Sequence, residues 1–233
     1  MKTIGLIGGM SWESSIEYYR IINQVVQKQL GGVHSAKIVL VSLDFAEIED
    51  LQNSGDWEGA TRIMVEAARR VEKSGADLIL ICTNTMHLMA EEVQEKINIP
   101  LLHIADATAR AVKQKELNTI GLLGTRFTME KEFYRGRLET RHQLKVLIPD
   151  QGQREEVHQV IYAELVRGII NDDSREIYQE VIDSLVERGA QGIVLGCTEI
   201  GLLVKPEDVP VPVFDTMDIH ALAAVEAALS KGS

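Results

Sequence analysis

Two stretches of this chain match without a gap at an offset of 114 residues. They are Gly75-Ala76-Asp77-Leu78-Ile79-Leu80-Ile81-Cys82-Thr83-Asn84 and Gly189-Ala190-Gln191-Gly192-Ile193-Val194-Leu195-Gly196-Cys197-Thr198. Each is a glycine turn, an apolar run and a small polar cluster. Two further pairs follow in the same order. Ile4-Gly5-Leu6-Ile7-Gly8-Gly9 matches Ile120-Gly121-Leu122-Leu123-Gly124-Thr125 at 116, and the segment from Pro100 to Asp106 matches that from Pro212 to Asp218 at 112. Three matches in one order point to a duplicated unit.

The repeated runs are short, apolar and rich in β-branched residues. Strands are expected at Thr3–Ile7, Lys37–Ser42, Asp77–Ile81, Leu101–Ile104, Thr119–Leu123, Lys145–Ile148, Gly192–Leu195 and Val211–Phe214. Helical patterns lie between them, among them Gly59–Lys73, Met86–Lys96, Thr128–Thr140, Arg154–Ile170 and Ser174–Glu187. Continuous apolar strands alternating with helices predict parallel sheets covered on both faces. The expected architecture is α/β: two pseudo-symmetric, doubly wound parallel-sheet domains with the active site in the cleft between them. Residues 1–100 with 213–233 form the first domain in this reading, and 101–212 the second. In such sheets ligands bind beyond the carboxyl ends of the strands. Gly8–Met10, Thr83–Thr85, Gly124–Arg126 and Cys197–Glu199 all fall there.

A net charge of −11 argues against nucleic-acid or anionic-membrane surfaces. It also means that an acidic ligand must be held by local donors such as loop amides, hydroxyls or a few arginines. No apolar run approaches the roughly 18 residues of a membrane span. The start of the chain is too short and glycine-broken for a signal peptide and reads as a strand. With two cysteines, this indicates free thiols in a reducing cytoplasm.

The loops carry the chemistry. Gly5-x-x-Gly8-Gly9 lacks the spacing of a phosphate loop and suits either a tight strand-to-helix turn or bare amides beside a ligand. Ser11 or Ser14 is placed to cap the next helix. In Thr83-Asn84-Thr85-Met86-His87, Asn84 or Thr85 is either an N-cap or a ligand donor. Cys82, ending an apolar strand, reads as a buried inert thiol. His87 and Glu91 have helical i,i+4 spacing, but no companion cluster completes a metal site. Cys197, just past a strand end among small residues and amides, is either a structural cysteine or a thiol whose pKa can be lowered so that it acts as base or nucleophile; the duplicated context favours the second. No G-x-S-x-G elbow supports serine hydrolase chemistry. His103 and Asp215 occupy equivalent repeat positions, as cleft-lining groups or as capping residues.

Taken together, Ile4-Gly5-Leu6-Ile7-Gly8-Gly9-Met10, Asn84-Thr85-Met86-His87, Gly196-Cys197-Thr198-Glu199 and the closing Pro-Val-Phe-Asp-Thr-Met-Asp strand resemble the aspartate/glutamate racemase superfamily over essentially the whole chain. The resemblance implies two pseudo-symmetric α/β domains and no cofactor: neither pyridoxal phosphate nor metal. It implies a small acidic amino acid as substrate and, commonly, a homodimer. Members typically move the Cα proton between two opposed cysteines. The family usually has cysteine directly before the asparagine of the first loop, where this chain has Thr83. The repeat alignment pairs Thr83 with Cys197 independently of the family. Cys82 is one residue early, and adjacent strand side chains face opposite ways.

The catalytic pair expected from the resemblance is therefore Cys197 and Thr83. The expected substrate-binding residues are Met10, Gln52, Asn84, Thr85, Thr125, Thr198 and Glu199. Gln52 stands in for the arginine that relatives place after the second strand, and Arg167 is a further basic candidate. An unactivated threonine is a weak acid, so slow turnover biased toward the L-enantiomer is expected. A single-cysteine version of the fold also resembles arylmalonate decarboxylases. A small-molecule binding protein without turnover is the non-enzymatic alternative.

Overall fold

The computed structural model describes residues 1–230. Among them are seven strands: β1 (Ile4–Gly8), β2 (Ile38–Ser42), β3 (Leu78–Ile81), β4 (Thr119–Gly124), β5 (Lys145–Leu147), β6 (Ile193–Gly196) and β7 (Val213–Asp215). The α-helices are α1 (Trp12–Leu30), α2 (Phe45–Ser54), α3 (Trp57–Lys73), α4 (Ala90–Gln94), α5 (Ile104–Gln114), α6 (Arg126–Glu130), α7 (Arg135–His142), α8 (Gln151–Ala163), α9 (Asp172–Glu187), α10 (Ile200–Leu203) and α11 (Thr216–Leu229). All strand pairs are parallel, in a three-stranded sheet ordered β2-β1-β3 and a four-stranded sheet ordered β5-β4-β6-β7.

The duplication is visible in register. Gly5 sits opposite Ile79, and Gly121 opposite Ile193. Ile79 bridges Leu101, and its counterpart Ile193 pairs with Val213. The expected Leu101–Ile104 strand is thus a single bridge, because α5 already begins at Ile104. In each sheet a glycine of the leading strand admits the covering helix. A Cβ on Gly5 would lie 2.2 Å from Val71 of α3, and one on Gly121 would lie 3.0 Å from Leu185 of α9. Val71 and Leu185 are themselves repeat equivalents.

The chain forms two compact units. The first is residues 1–104 with the segment from His220 onward, and the second is Ala105–Ile219. This moves both boundaries from those read in the sequence. Residues 101–104 stay with the first unit because Leu101 bridges to Ile79. Residues 213–219 stay with the second because β7 pairs with β6. In the first unit α1 and α3 pack on β1, whose five residues are all buried, and Ile7, Ile48, Met64, Val71, Ile79 and Met86 share one apolar cluster. In the second, α8 and α9 pack on β4.

Three expected helices are interrupted. The segment Met86–Lys96 opens as a 3-10 turn over Thr85–Met89, with α-helix only in α4. Thr128–Thr140 splits into α6 and α7, because Lys131 takes an extended backbone at the end of α6. Arg154–Ile170 starts earlier, at the Asp150/Gln153 capping box, and leaves the α-helical path at Glu164.

Candidate active site

In the first unit, the Gly8–Met10 turn and the Thr83 loop leave the carboxyl ends of the neighbouring strands β1 and β3. Gly9 has φ of 88°, and a Cβ there would lie 2.1 Å from the Leu43 carbonyl oxygen, so only glycine fits this turn. The Gly9 N–H donates to Ser15 Oγ at 2.8 Å. Ser11 caps α1, accepting from the Ser14 N–H. Met10 is buried in the same apolar cluster as Met86 and Ile48. Gln52, buried on α2, donates to Met86 Sδ at 3.2 Å, tying α2 to the Thr83 loop.

Thr83 is half-buried, whereas Cys82 beside it is 1% exposed. Alternation along the strand therefore turns the thiol into the core, where desolvation pushes its pKa far up. Asn84 and Thr85 are buried at the head of the 3-10 turn, and no Asn84 side-chain cap forms there. The loop is pinned by His87. The Ile104 N–H donates to His87 Nε2 at 3.2 Å, so Nδ1 carries the proton and donates to the Thr83 carbonyl at 2.8 Å. Both ring nitrogens are thus occupied by backbone, which leaves none for a metal. Behind His87 lie His103, its ring centroid 4.6 Å away, and His220, 5.7 Å away. His220 donates from Nε2 to the Leu102 carbonyl and accepts from Tyr18 at Nδ1. Residue spacing gave no hint of this layer, since Tyr18 and His220 lie 202 residues apart.

In the second unit, β4 and β6 end side by side, with Gly124 opposite Gly196. A Cβ on Gly124 would lie 2.8 Å from the Gly196 carbonyl oxygen, so bare backbone permits this approach. Thr125 follows as the N-cap of α6, accepting from the Thr128 N–H. Cys197 follows Gly196 and is 8% exposed. Its Sγ donates to Glu199 Oε2 at 3.0 Å, and Thr198 Oγ1 donates to the same oxygen at 2.8 Å. Glu199 is itself buried. Asp215 caps α11, accepting from the Met217 and Asp218 N–H groups.

The lowered pKa that the position of Cys197 can support does not arise. Burial, the Glu199 carboxylate and, more weakly, Asp215 push the thiol well above its usual value. The resting group is a neutral thiol that donates to a carboxylate. The local pattern of small residues and amides pointed toward a thiolate. It took no account of a carboxylate two residues on folding back onto the sulfur. Arg167 is exposed on the 3-10 turn Leu165–Arg167. The expected site residues thus form two local sets: Met10, Gln52 and Thr83–Thr85 in the first unit, and Thr125 and Cys197–Glu199 in the second. Among the described residues, no group of three His, Cys, Asp or Glu side chains is arranged to hold a metal ion.

Two duplicated parallel α/β units, each with polar loops at its strand ends and one with a carboxylate-bonded cysteine, define the class of protein. The family model for Asp/Glu/Hydantoin racemases matches residues 7–224, and the chain belongs to that family. It is accordingly an isomerase of the racemase type. Its sequence is 23% identical over 230 residues to the broad specificity amino-acid racemase RacX of Bacillus subtilis, covering 97% of this chain and 98% of that one. The structure of a candidate Asp/Glu racemase from Yersinia pestis is similar at a TM-score of 0.92 and 56% identity, covering 99% of this chain and 100% of that one. An aspartate racemase homologue from Pyrococcus horikoshii gives a TM-score of 0.85 at 35% identity, over 99% and 100% of the two chains.

Proposed function

We propose that this protein is a cofactor-independent racemase of aspartate and/or glutamate in which Cys197 serves one face of Cα and Thr83 the other. The observation that carries the reading is positional. Thr83 and Cys197 follow equivalent strands, β3 and β6, at the same repeat offset; Thr83 is half-buried, and Cys197, though buried, bonds the Glu199 carboxylate, whereas Cys82 is turned into the core. Removing the Cα proton makes the substrate carboxylate enolate-like, so the reaction needs a base, an opposed acid and donors for the growing charge. Asn84, Thr85 and loop amides are the donors in this reading; Thr198, whose one hydroxyl proton goes to Glu199, belongs to the binding set without donating to the substrate. Gln52, Met10, Thr125 and Glu199 complete the binding set. No metal and no pyridoxal phosphate enter the scheme. The working protein is taken as a cytoplasmic homodimer, an assembly that sedimentation equilibrium tests.

Thr83 is the slow partner, because an unactivated hydroxyl is a far weaker acid than a thiol. The bias toward the L-amino acid then has a definite form. The two enantiomers have equal free energy in solution, so kcat/KM is the same in both directions. The asymmetry appears as separate differences in kcat and KM. A single thiol at a strand-end loop, Cys197, also suits one-sided proton delivery, as in a decarboxylase. Cα exchange without added cofactor separates the two chemistries.

In deuterated water, L-aspartate or L-glutamate gains deuterium at Cα, read by proton NMR. Absence of exchange with both enantiomers of both amino acids, despite measurable binding, leaves a binding protein in place of the racemase. Thr83→Cys raises turnover if the weak partner limits the rate.

A further inference from the structure

We infer that Glu199 is a positioning residue that shares one proton with Cys197, so that the buried thiol works as a base without a separately ionised cysteine. This rests on the racemase reading above and extends it. The Sγ–H to Oε2 contact is 3.0 Å, and both partners are buried. Thr198 donates to the same oxygen at 2.8 Å and holds it on the sulfur side. The pair carries one negative charge and one proton. Moving the proton from Sγ to Oε2 leaves a thiolate beside a carboxylic acid, with no change in net charge. A solitary buried thiol must instead create a charge in the protein interior when it ionises.

The cycle balances in protons. The one-proton pair, in its thiolate form, takes the Cα proton and becomes a thiol beside a carboxylic acid. For exchange at this face the thiol gives a proton back to the carbanion and the carboxylic acid stays neutral; for inversion the carbanion takes its proton from Thr83 on the other face, and the extra proton of the pair returns to Thr83 through solvent. At no point do a thiolate and a carboxylate face each other as two anions. The other groups around the sulfur do not offer this. Tyr178 on α9 is a phenol whose pKa burial raises far up, and Asp215 on β7 is engaged at the head of α11. Neither hydrogen-bonds Sγ, whereas Glu199 does.

The test uses the purified protein, Glu199→Gln and Glu199→Asp, over about pH 6.5 to 8.5, which brackets the early ionisation range of a free thiol. In the parent protein, Cα deuterium exchange is nearly level across this range, because the pair keeps one proton throughout. Glu199→Gln loses about 100-fold or more near pH 7, within the range of acid–base assistance. Its residual exchange then climbs close to tenfold per pH unit, as a solitary thiol ionises. Glu199→Asp restores the level profile at a lower rate. A loss in Glu199→Gln that is the same at every pH marks a merely structural role and overturns the inference, as does an unchanged rate. Iodoacetamide labelling of Cys197, followed by mass spectrometry in a Cys82→Ala background, reads the thiol without substrate. A steeper pH dependence in Glu199→Gln than in its Glu199 parent supports the shared proton, and equal slopes overturn it. If the parent shows no Cα exchange, the racemase reading fails, while the labelling comparison still decides the Cys197–Glu199 pair.

Discussion

Cys82 and Cys197 both follow strand ends and both are desolvated, yet only Cys197 has an acceptor on its sulfur. Burial alone makes Cys82 inert. The Glu199 contact gives Cys197 somewhere to send its proton. Cys197→Ala should therefore abolish Cα exchange, whereas Cys82→Ala should retain most of it while costing some stability through a small core cavity. A dead Cys82→Ala protein that remains folded by circular dichroism would reverse the assignment. Asp215 gives a second test at this scale. Burial, with the Asp218 charge beside it, pushes its carboxyl up to about 6. A folded pKa above the unfolded value means that the folded state prefers the protonated acid. Its contribution is fully present below about pH 4 and is lost as pH rises through about 6. Asp215→Asn keeps a side-chain oxygen for the Met217 and Asp218 N–H groups. It should raise stability at pH 7 by up to about 2–3 kcal/mol and give no gain near pH 4, read from urea midpoints.

At the scale of elements, the leading strands β1 and β4 carry glycine where a helix crosses. The cost of filling that space depends on what it meets. A Cβ at Gly5 runs into Val71 Cγ1, a branched group held close to its own backbone. At Gly121 the contacts at 2.8 and 3.0 Å are the far ends of Ile193 and Leu185, which have room to rotate. Gly5→Ala should cost about 2–3 kcal/mol or more and Gly121→Ala clearly less, although the positions are repeat equivalents. Denaturant unfolding of both variants checks the order, and equal costs would show that the helices adjust alike. The same local detail limited the sequence reading. Strand positions were legible because a buried parallel strand is an unbroken apolar run. The helix after β3 was not, because its 3-10 start is imposed by His87 bonding Thr83 and Ile104. The Lys131 break between α6 and α7 likewise has no proline or glycine to announce it.

Across the whole molecule, the charge of −11 sets a field that repels acidic substrates. Salt screens that repulsion over about 10 Å at 0.1 M. Raising sodium chloride from about 10 to 150 mM should leave kcat/KM for aspartate unchanged or raise it up to a few-fold. A steep fall would mean that a local cationic surface controls association. Among the described residues no helix is long and apolar enough to cross a membrane.

The sequence by itself determined the duplication, the parallel α/β class, the repeat equivalence of Thr83 and Cys197 and the inward turn of Cys82. These follow from periodicity and order along the chain, which local residue types encode. Tertiary structure decided the unit boundaries, because whether 213–219 join one unit or the other depends on the pairing of β7 with β6. It also decided the protonation of Cys197. A thiol's pKa is set by what surrounds it in three dimensions, and burial with the returning Glu199 carboxylate reversed the direction that its sequence neighbours implied.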